Sequence, residues 1–179
     1  MTILLRTRRT YLGLALVAFV LSVPVGAQQD HAMHHSDYAE QATSGIASLS
    51  RQEHDDLIAG AGMGMARPAE LHQYPGPKHV LELVGELALD EQQTAAVEAI
   101  HAAMLQRARE LGEEIVEKER HLDLRFSRRH IDEAALRSTT AEIAVLYGEL
   151  RFAHLRAHLE TREVLSPEQI EKYDDLRGY

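Results

Sequence analysis

The sequence predicts an all-α protein built on one long antiparallel helical hairpin with short flanking helices, and three observations carry that prediction. Apolar residues recur at steps of three, four and seven along two long stretches, the period of helices that bury one face. A short polar break at 126–131 separates the two stretches, as a tight turn requires. The same helix-opening pattern occurs twice, as Leu89-Asp90-Glu91-Gln92-Gln93 and as Leu165-Ser166-Pro167-Glu168-Gln169. In each copy a side-chain oxygen, from Asp90 or Ser166, can accept from the first backbone N–H groups of a helix. Gln93 or Gln169, three residues on, can reach back to the cap. Leu89 and Leu165 stand where a hydrophobic staple fixes how the chain enters the helix. Such periodicity leaves no room for a Rossmann or hydrolase scaffold.

Residues 1–27 read as a signal peptide. Arg6, Arg8 and Arg9 form a basic start, Tyr11 to Val25 is apolar apart from Ser22, Pro24 and glycine, and Val25-Gly26-Ala27 places small residues at a cleavage position. The apolar run is shorter than the ~20 residues of a spanning helix and is broken by Pro24. The expectation is a periplasmic protein exported by the general secretory route, although Thr7-Arg8-Arg9-Thr10-Tyr11-Leu12 also has the look of a twin-arginine signal. Cleavage after Ala27 removes three of the 19 Lys and Arg and none of the 28 Asp and Glu, which takes the formal net charge from −9 to −12. A chain this acidic excludes nucleic acid as a partner. It has no cysteine, so stability must come from helix packing or association.

Residues 28–77 form an irregular arm rich in His, Met, Gly and Pro. Ile46, Leu49, Leu57 and Ile58 mark a short, weakly amphipathic helical pattern up to Ala59. Gly60-Ala61-Gly62-Met63-Gly64-Met65 ends it, and Pro68, Pro75, Gly76 and Pro77 keep the following stretch out of long helices. Residues 78–179 form the hairpin domain. His79 to Leu87 reads as a short helix, and Asp90 to about Leu124 as a long one with Val97, Ile100, Met104, Ala108, Leu111, Ile115 and Leu122 inward. Asp132 caps the second long helix, which runs to about Val164 with Ile143, Leu146, Leu150, Ala153 and Ala157 inward. A last helix, Pro167 to about Arg177, sets Ile170, Tyr173 and Leu176 on one side. Two helices alone leave part of each stripe in water, so a homodimer is expected.

The two helix-opening motifs bracketing a hairpin resemble the repeated Leu-Thr-x-x-Gln hallmark of the periplasmic Spy/CpxP group and its heavy-metal-resistance and metal-sensor relatives. Asp90 and Ser166 replace the threonines and keep the capping chemistry. The resemblance covers about residues 78–177. It implies a cofactor-free envelope protein that is not an enzyme, commonly an antiparallel dimer with a cradle shape. It also implies metal ligands from the stretch after the first motif and from a His-x-x-x-His-like pair before the second.

The candidate chemistry lies in histidines. His154 and His158 stand one helical turn apart on one face and could share a metal ion. If the hairpin folds about residues 128–130, position 101 lies level with 155–159, because both helices rise about 1.5 Å per residue. His101 therefore joins the pair as a candidate, with Glu98, Glu160 or His79 as a fourth ligand. Three imidazoles and one further donor suit Zn, Cu, Co or Ni. The alternative for the same residues is a polar seam or a pH-sensitive contact. His31, Met33, His34 and His35 form a separate candidate for copper in the arm, or a solvated spacer. Met63 and Met65 are expected to pack against the hairpin. No nucleophile arrangement, phosphate-binding loop or paired carboxylate is legible.

The sequence thus points to a non-enzymatic envelope-stress protein, either an ATP-independent chaperone or stress modulator with metal binding, or a periplasmic heavy-metal sensor or resistance protein. The first would hold unfolded envelope proteins and the second would signal to a membrane-bound regulatory partner. The exported protein should begin at Gln28, which intact-mass analysis of a periplasmic fraction checks; recovery only from membranes with Met1 in place would refute it.

Overall fold

Two helices of 37 and 32 residues, Glu91–Ser127 and Glu133–Val164, pack against each other as the predicted hairpin. The computed structural model describes residues 45–179. In chain order its helices are α1 (Arg51–Ala59), α2 (Arg67–Glu70), α3 (Pro77–Glu82), α4 (Glu91–Ser127), α5 (Glu133–Val164) and α6 (Pro167–Arg177), with no strand among the described residues. The hairpin register is visible at both ends. Gln93 Nε2 donates to the Val164 carbonyl at 3.0 Å, and Lys118 pairs with Glu142, which is the alignment a fold about residues 128–130 demands.

Both repeated motifs are complete capping boxes. Asp90 accepts from the Gln93 N–H at 2.7 Å and Ser166 from the Gln169 N–H at 3.2 Å, while each glutamine Oε1 accepts from the backbone N–H of its own cap residue. The two boxes also interlock. Gln93 Nε2 donates to Gln169 Oε1 at 2.8 Å and Gln169 Nε2 donates to Gln93 Oε1 at 3.0 Å, a reciprocal amide pair. The remaining hydrogens reach the Val164 and Leu87 carbonyls. The start of α4 is thereby tied to the start of α6 and to the end of α5.

Two apolar clusters flank this frame. At the open end, Val80, Leu87, Val97, Leu165, Ile170 and Tyr173 pack together. Midway along the hairpin, Ile46, Leu49 and Leu57 from before and within α1 pack on Ala108, Leu111, Ile115 and Val116 of α4 and Leu150 of α5, with Met65 against them. The stretch 45–77, set apart as an arm by its composition, therefore supplies side chains to the hairpin core. Ser48 adds a hydrogen bond of 2.7 Å to the buried Glu119.

Some boundaries differ from the periodicity. The long helix continues to Ser127, and the chain reverses through Arg128–Asp132 with Arg129 in the left-handed region at φ 54°. The expected helix His79–Leu87 is shorter: it ends at Glu82 and continues as turns past Gly85 to Ala88, at φ 51°. Leu87 is buried nonetheless, so its apolar spacing misread a turn as helix. Ile58 and Leu176 are exposed rather than inward. Neighbouring helical positions are about 100° apart, so only Leu57 of its pair faces α4, and the buried side of α6 stops at Tyr173.

The crossing of α1 over α4 depends on one missing side chain. A Cβ on Gly112 would lie 2.0 Å from the Leu57 carbonyl oxygen and 2.6 Å from its carbon, backbone atoms that cannot turn aside. In an open helix Gly→Ala stabilises by about 1 kcal/mol. Here Gly112→Ala should have the opposite sign, costing about 1–3 kcal/mol by overpacking and lowering the Tm by several degrees. The control is Gly148→Ala, whose Cβ meets nothing within 4 Å and should raise the Tm.

Candidate metal site

α5 turns His154 and His158 to the same side, and both are buried, at 4% and 7% exposure. The His158 Nδ1 lies 2.7 Å from the Tyr74 carbonyl oxygen. A carbonyl only accepts, so Nδ1 carries the hydrogen and Nε2 keeps its lone pair. The Ala61 backbone beside the His154 ring favours its protonated form, and the ring's buried Nε2 has no hydrogen-bond partner. The His158 ring is thus held by a backbone carbonyl in the tautomer that presents Nε2, the way ligating histidines are commonly oriented. Burial holds the His154 imidazole below the ordinary histidine value; the adjacent His158 adds to that depression and the Ala61 carbonyl opposes it.

Glycines let the arm reach these rings. A Cβ on Gly76 would lie 2.8 Å from Cε1 and 3.2 Å from Nε2 of His158, and 2.7 Å from Glu70 Oε1. A Cβ on Gly62 would lie 3.9 Å from Cε1 and Nδ1 of His154. Arg162 anchors the same segment, donating to the Gln73 carbonyl at 3.1 Å and stacking on the Tyr74 ring. Glu70 Oε2 accepts from the buried Tyr173 hydroxyl at 2.8 Å. Burial, first, and this carboxylate push the Tyr173 hydroxyl well above the ordinary phenol range, so it stays protonated and donating.

A groove of about 720 Å³ opens above the pair, lined by His154, His158, His101, His79, Glu70, Met63 and Met104 among others. His101 is half-buried on α4, and His79 Nδ1 lies 2.8 Å from Glu82 Oε2. The hairpin arithmetic therefore brings His101 to the same groove as His154 and His158. It does not bring three ligands together: among the described residues no three His, Cys, Asp or Glu side chains are grouped closely enough to hold one metal ion. The His158 ring is turned toward the arm by the Tyr74 carbonyl, and the His154 ring lies against the backbone of the arm at Gly62, contacts that hairpin register alone does not contain. Glu98 is exposed on α4. Glu160 pairs with Arg156 at 2.7 Å and lines a second groove beside Phe152. His31, Met33, His34 and His35 lie outside the described residues.

Glu70 was not singled out by the sequence. It stands in a four-residue helix with no spacing that relates it to His158 or Tyr173, and only the packing of the arm brings it there.

The low His154 value has a consequence for stability. In the unfolded chain this group titrates near its ordinary 6.5, and in the folded protein below that. As pH falls through 6.5 toward the folded value, the unfolded chain takes up a proton that the native protein does not, so stability falls; it recovers as pH returns toward neutral. The Tm of His154→Gln should decline less between about pH 7 and pH 5 than that of the unsubstituted protein. Parallel Tm curves would show that His154 gains no such depression from folding.

Residues 57–172 match the family described as heavy-metal resistance. That span runs from Leu57 to the last helix and takes in both glutamine motifs, the glycine-rich arm and every histidine of the groove. No curated protein and no solved structure matches the chain. Since the match covers well over half of the 179 residues and coincides with the helical hairpin, the chain belongs to the heavy-metal-resistance family, a Spy/CpxP-like group.

Proposed function

We propose that this chain is a non-enzymatic protein of the cell envelope that binds one transition-metal ion, Zn, Cu, Co or Ni, through Nε2 of His154 and His158, and that it works as a homodimer after loss of residues 1–27. The observation that carries this reading is the orphaned, buried Nε2 of His154 beside a second buried imidazole, His158, whose Nδ1 is held by the Tyr74 carbonyl. A buried acceptor without a partner costs about 1–3 kcal/mol, which a bound ion would relieve. His101, His79 and Glu70 are the donors in the same groove that would complete the shell, with Met63 and Met104 as softer alternatives. Since the ligating form is neutral imidazole, a depressed His154 value keeps that ring competent in mild acid.

The chaperone reading has an observation of its own. Val145, Phe152 and Leu159 stand at seven-residue spacing on α5 with 64%, 58% and 53% of their surface exposed. Such a stripe suits a second copy of the chain or a loosely held unfolded client. Metal binding and client binding would then be properties of different faces, with metal shifting the equilibrium of one by its differential affinity.

Titration calorimetry with each metal tests the site. His154→Ala and His158→Ala should each weaken binding by ten-fold or more, His101→Ala should weaken it less, and His121→Ala, near the turn, should leave it unchanged. Equal affinity in the unsubstituted protein and a His101/His154/His158 triple variant would overturn the site. An aggregation assay on the same samples separates the roles: tight stoichiometric binding without suppression of aggregation supports a sensor, and suppression without metal supports a chaperone.

A further inference from the structure

The closed end of the hairpin differs in charge from the rest of the molecule. Between Arg120 and His130 the sequence holds four arginines, two histidines and a single acid, Asp123, in a chain whose remainder is strongly acidic. Elsewhere Arg107 pairs with Glu110, Lys118 with Glu142, Arg137 with Glu133 and Arg156 with Glu160. Arg120 and His121 both face Glu117. Arg125, Arg128 and Arg129 are exposed and belong to none of the ion pairs among the described residues. The acids that follow are also occupied, since Asp132 caps α5 and Glu133 pairs with Arg137.

Apolar side chains sit among these cations. Phe126 is 53% exposed and Leu124 40%, and a shallow groove at the tip is lined by His121, Leu124, Arg125, Arg128 and His130. Arg129 holds a left-handed conformation at φ 54°, which glycine adopts with less strain; the turn itself therefore does not call for arginine.

We propose that the hairpin tip docks end-on to a bilayer surface carrying anionic phospholipid headgroups, with Arg125, Arg128 and Arg129 on the phosphates and Phe126 and Leu124 in the interface. Charge complementarity selects the occupant and its orientation. Unpaired arginines gain at a negative surface, and an exposed aromatic ring beside them suits the boundary between headgroups and acyl chains. The acidic remainder is repelled by that same surface, so only the tip can approach. A protruding end fits a flat surface, and no helix among the described residues is long and apolar enough to cross a membrane, so the contact is peripheral. This inference does not depend on the metal reading.

The test is cosedimentation of the protein, as recovered from cells, with phosphatidylcholine vesicles and with vesicles in which part of the phosphatidylcholine is replaced by phosphatidylglycerol. Binding should require phosphatidylglycerol and fall as salt approaches about 0.15 M, where screening shortens to about 8 Å. Each of Arg125→Gln and Arg128→Gln should weaken it about fivefold, and Phe126→Ala should weaken it at every salt concentration. Arg129→Gly separates charge from folding: binding should fall by a similar factor while the Tm holds or rises. Absence of binding to the anionic vesicles at low salt, or equal binding by an Arg125/Arg128/Arg129→Gln variant with an unchanged Tm, would overturn the proposal. So would competition by polyglutamate as effective as that by the vesicles, which would assign the tip to an acidic protein instead.

Discussion

The reciprocal amide pair of Gln93 and Gln169 is the constraint on which the open end of the molecule depends. Each glutamine has one carbonyl oxygen and two amide hydrogens, and each uses all of them: its own cap N–H and the other glutamine's hydrogen fill the oxygen, and the second hydrogen goes to Val164 or Leu87. One completed hydrogen bond in a protein is worth only about 1 kcal/mol net, and these half-buried amides, if parted, would lose part of the about 1–3 kcal/mol that a fully buried unpaired group costs. The network therefore acts less by adding stability than by penalising every arrangement in which α4 and α6 do not start side by side. With α6 so placed, Tyr173 enters the open-end core and its hydroxyl reaches Glu70. One wall of the histidine groove follows from a pair of caps.

The repeat of the motif thus has a physical reason that is partly legible from sequence. A capping box is a local device, and the spacing from Asp90 to Gln93 and from Ser166 to Gln169 announces two of them. The hairpin register is also legible, since two helices of equal rise folded about a known turn can align in one way, and Gln93 against Val164 bears it out. The interlock is a contact between residues 76 apart, and no periodicity reports it. The same limit applies at the groove. Spacing placed His154, His158 and His101 at one level. Which way the His158 ring turns was decided by Tyr74, a backbone carbonyl in a stretch whose glycines and prolines announce only that it is not a long helix.

Backbone atoms rather than side chains carry much of the specificity in that stretch. Gly112 admits the Leu57 carbonyl to the surface of α4, Gly76 brings the arm against Nε2 of His158, and Gly62 brings it near His154. Close backbone approach needs glycine because any Cβ would occupy the space. A composition rich in Gly and Pro accordingly reads as irregular, yet Ile46, Leu49 and Leu57 in the described part of this arm are among the most buried side chains of the protein. Its few apolar residues give only a weak periodic signal, and they find their burial in one cluster with α4 and α5.

The same arrangement sets what an ion at the groove would have to overcome. The two rings answer to different segments of the arm, His158 to the Tyr74 carbonyl and His154 to the backbone at Ala61 and Gly62. His101 belongs to α4, which is held by the hairpin and the glutamine clamp, whereas Glu70 belongs to a helix of four residues whose N-cap makes no side-chain hydrogen bond. Of the donors facing the groove, His101, His154 and His158 stand on the long helices and Glu70 and Met63 on the arm. Convergence on an ion at the proposed site would therefore draw on the arm, and a rearrangement there would reach Leu57 and Ile46 in the mid-hairpin core, because the chain that covers the histidines is the chain that fills that core. Ion binding at the proposed site and packing would then be linked through one stretch of backbone, and a two-state response would need no other moving part.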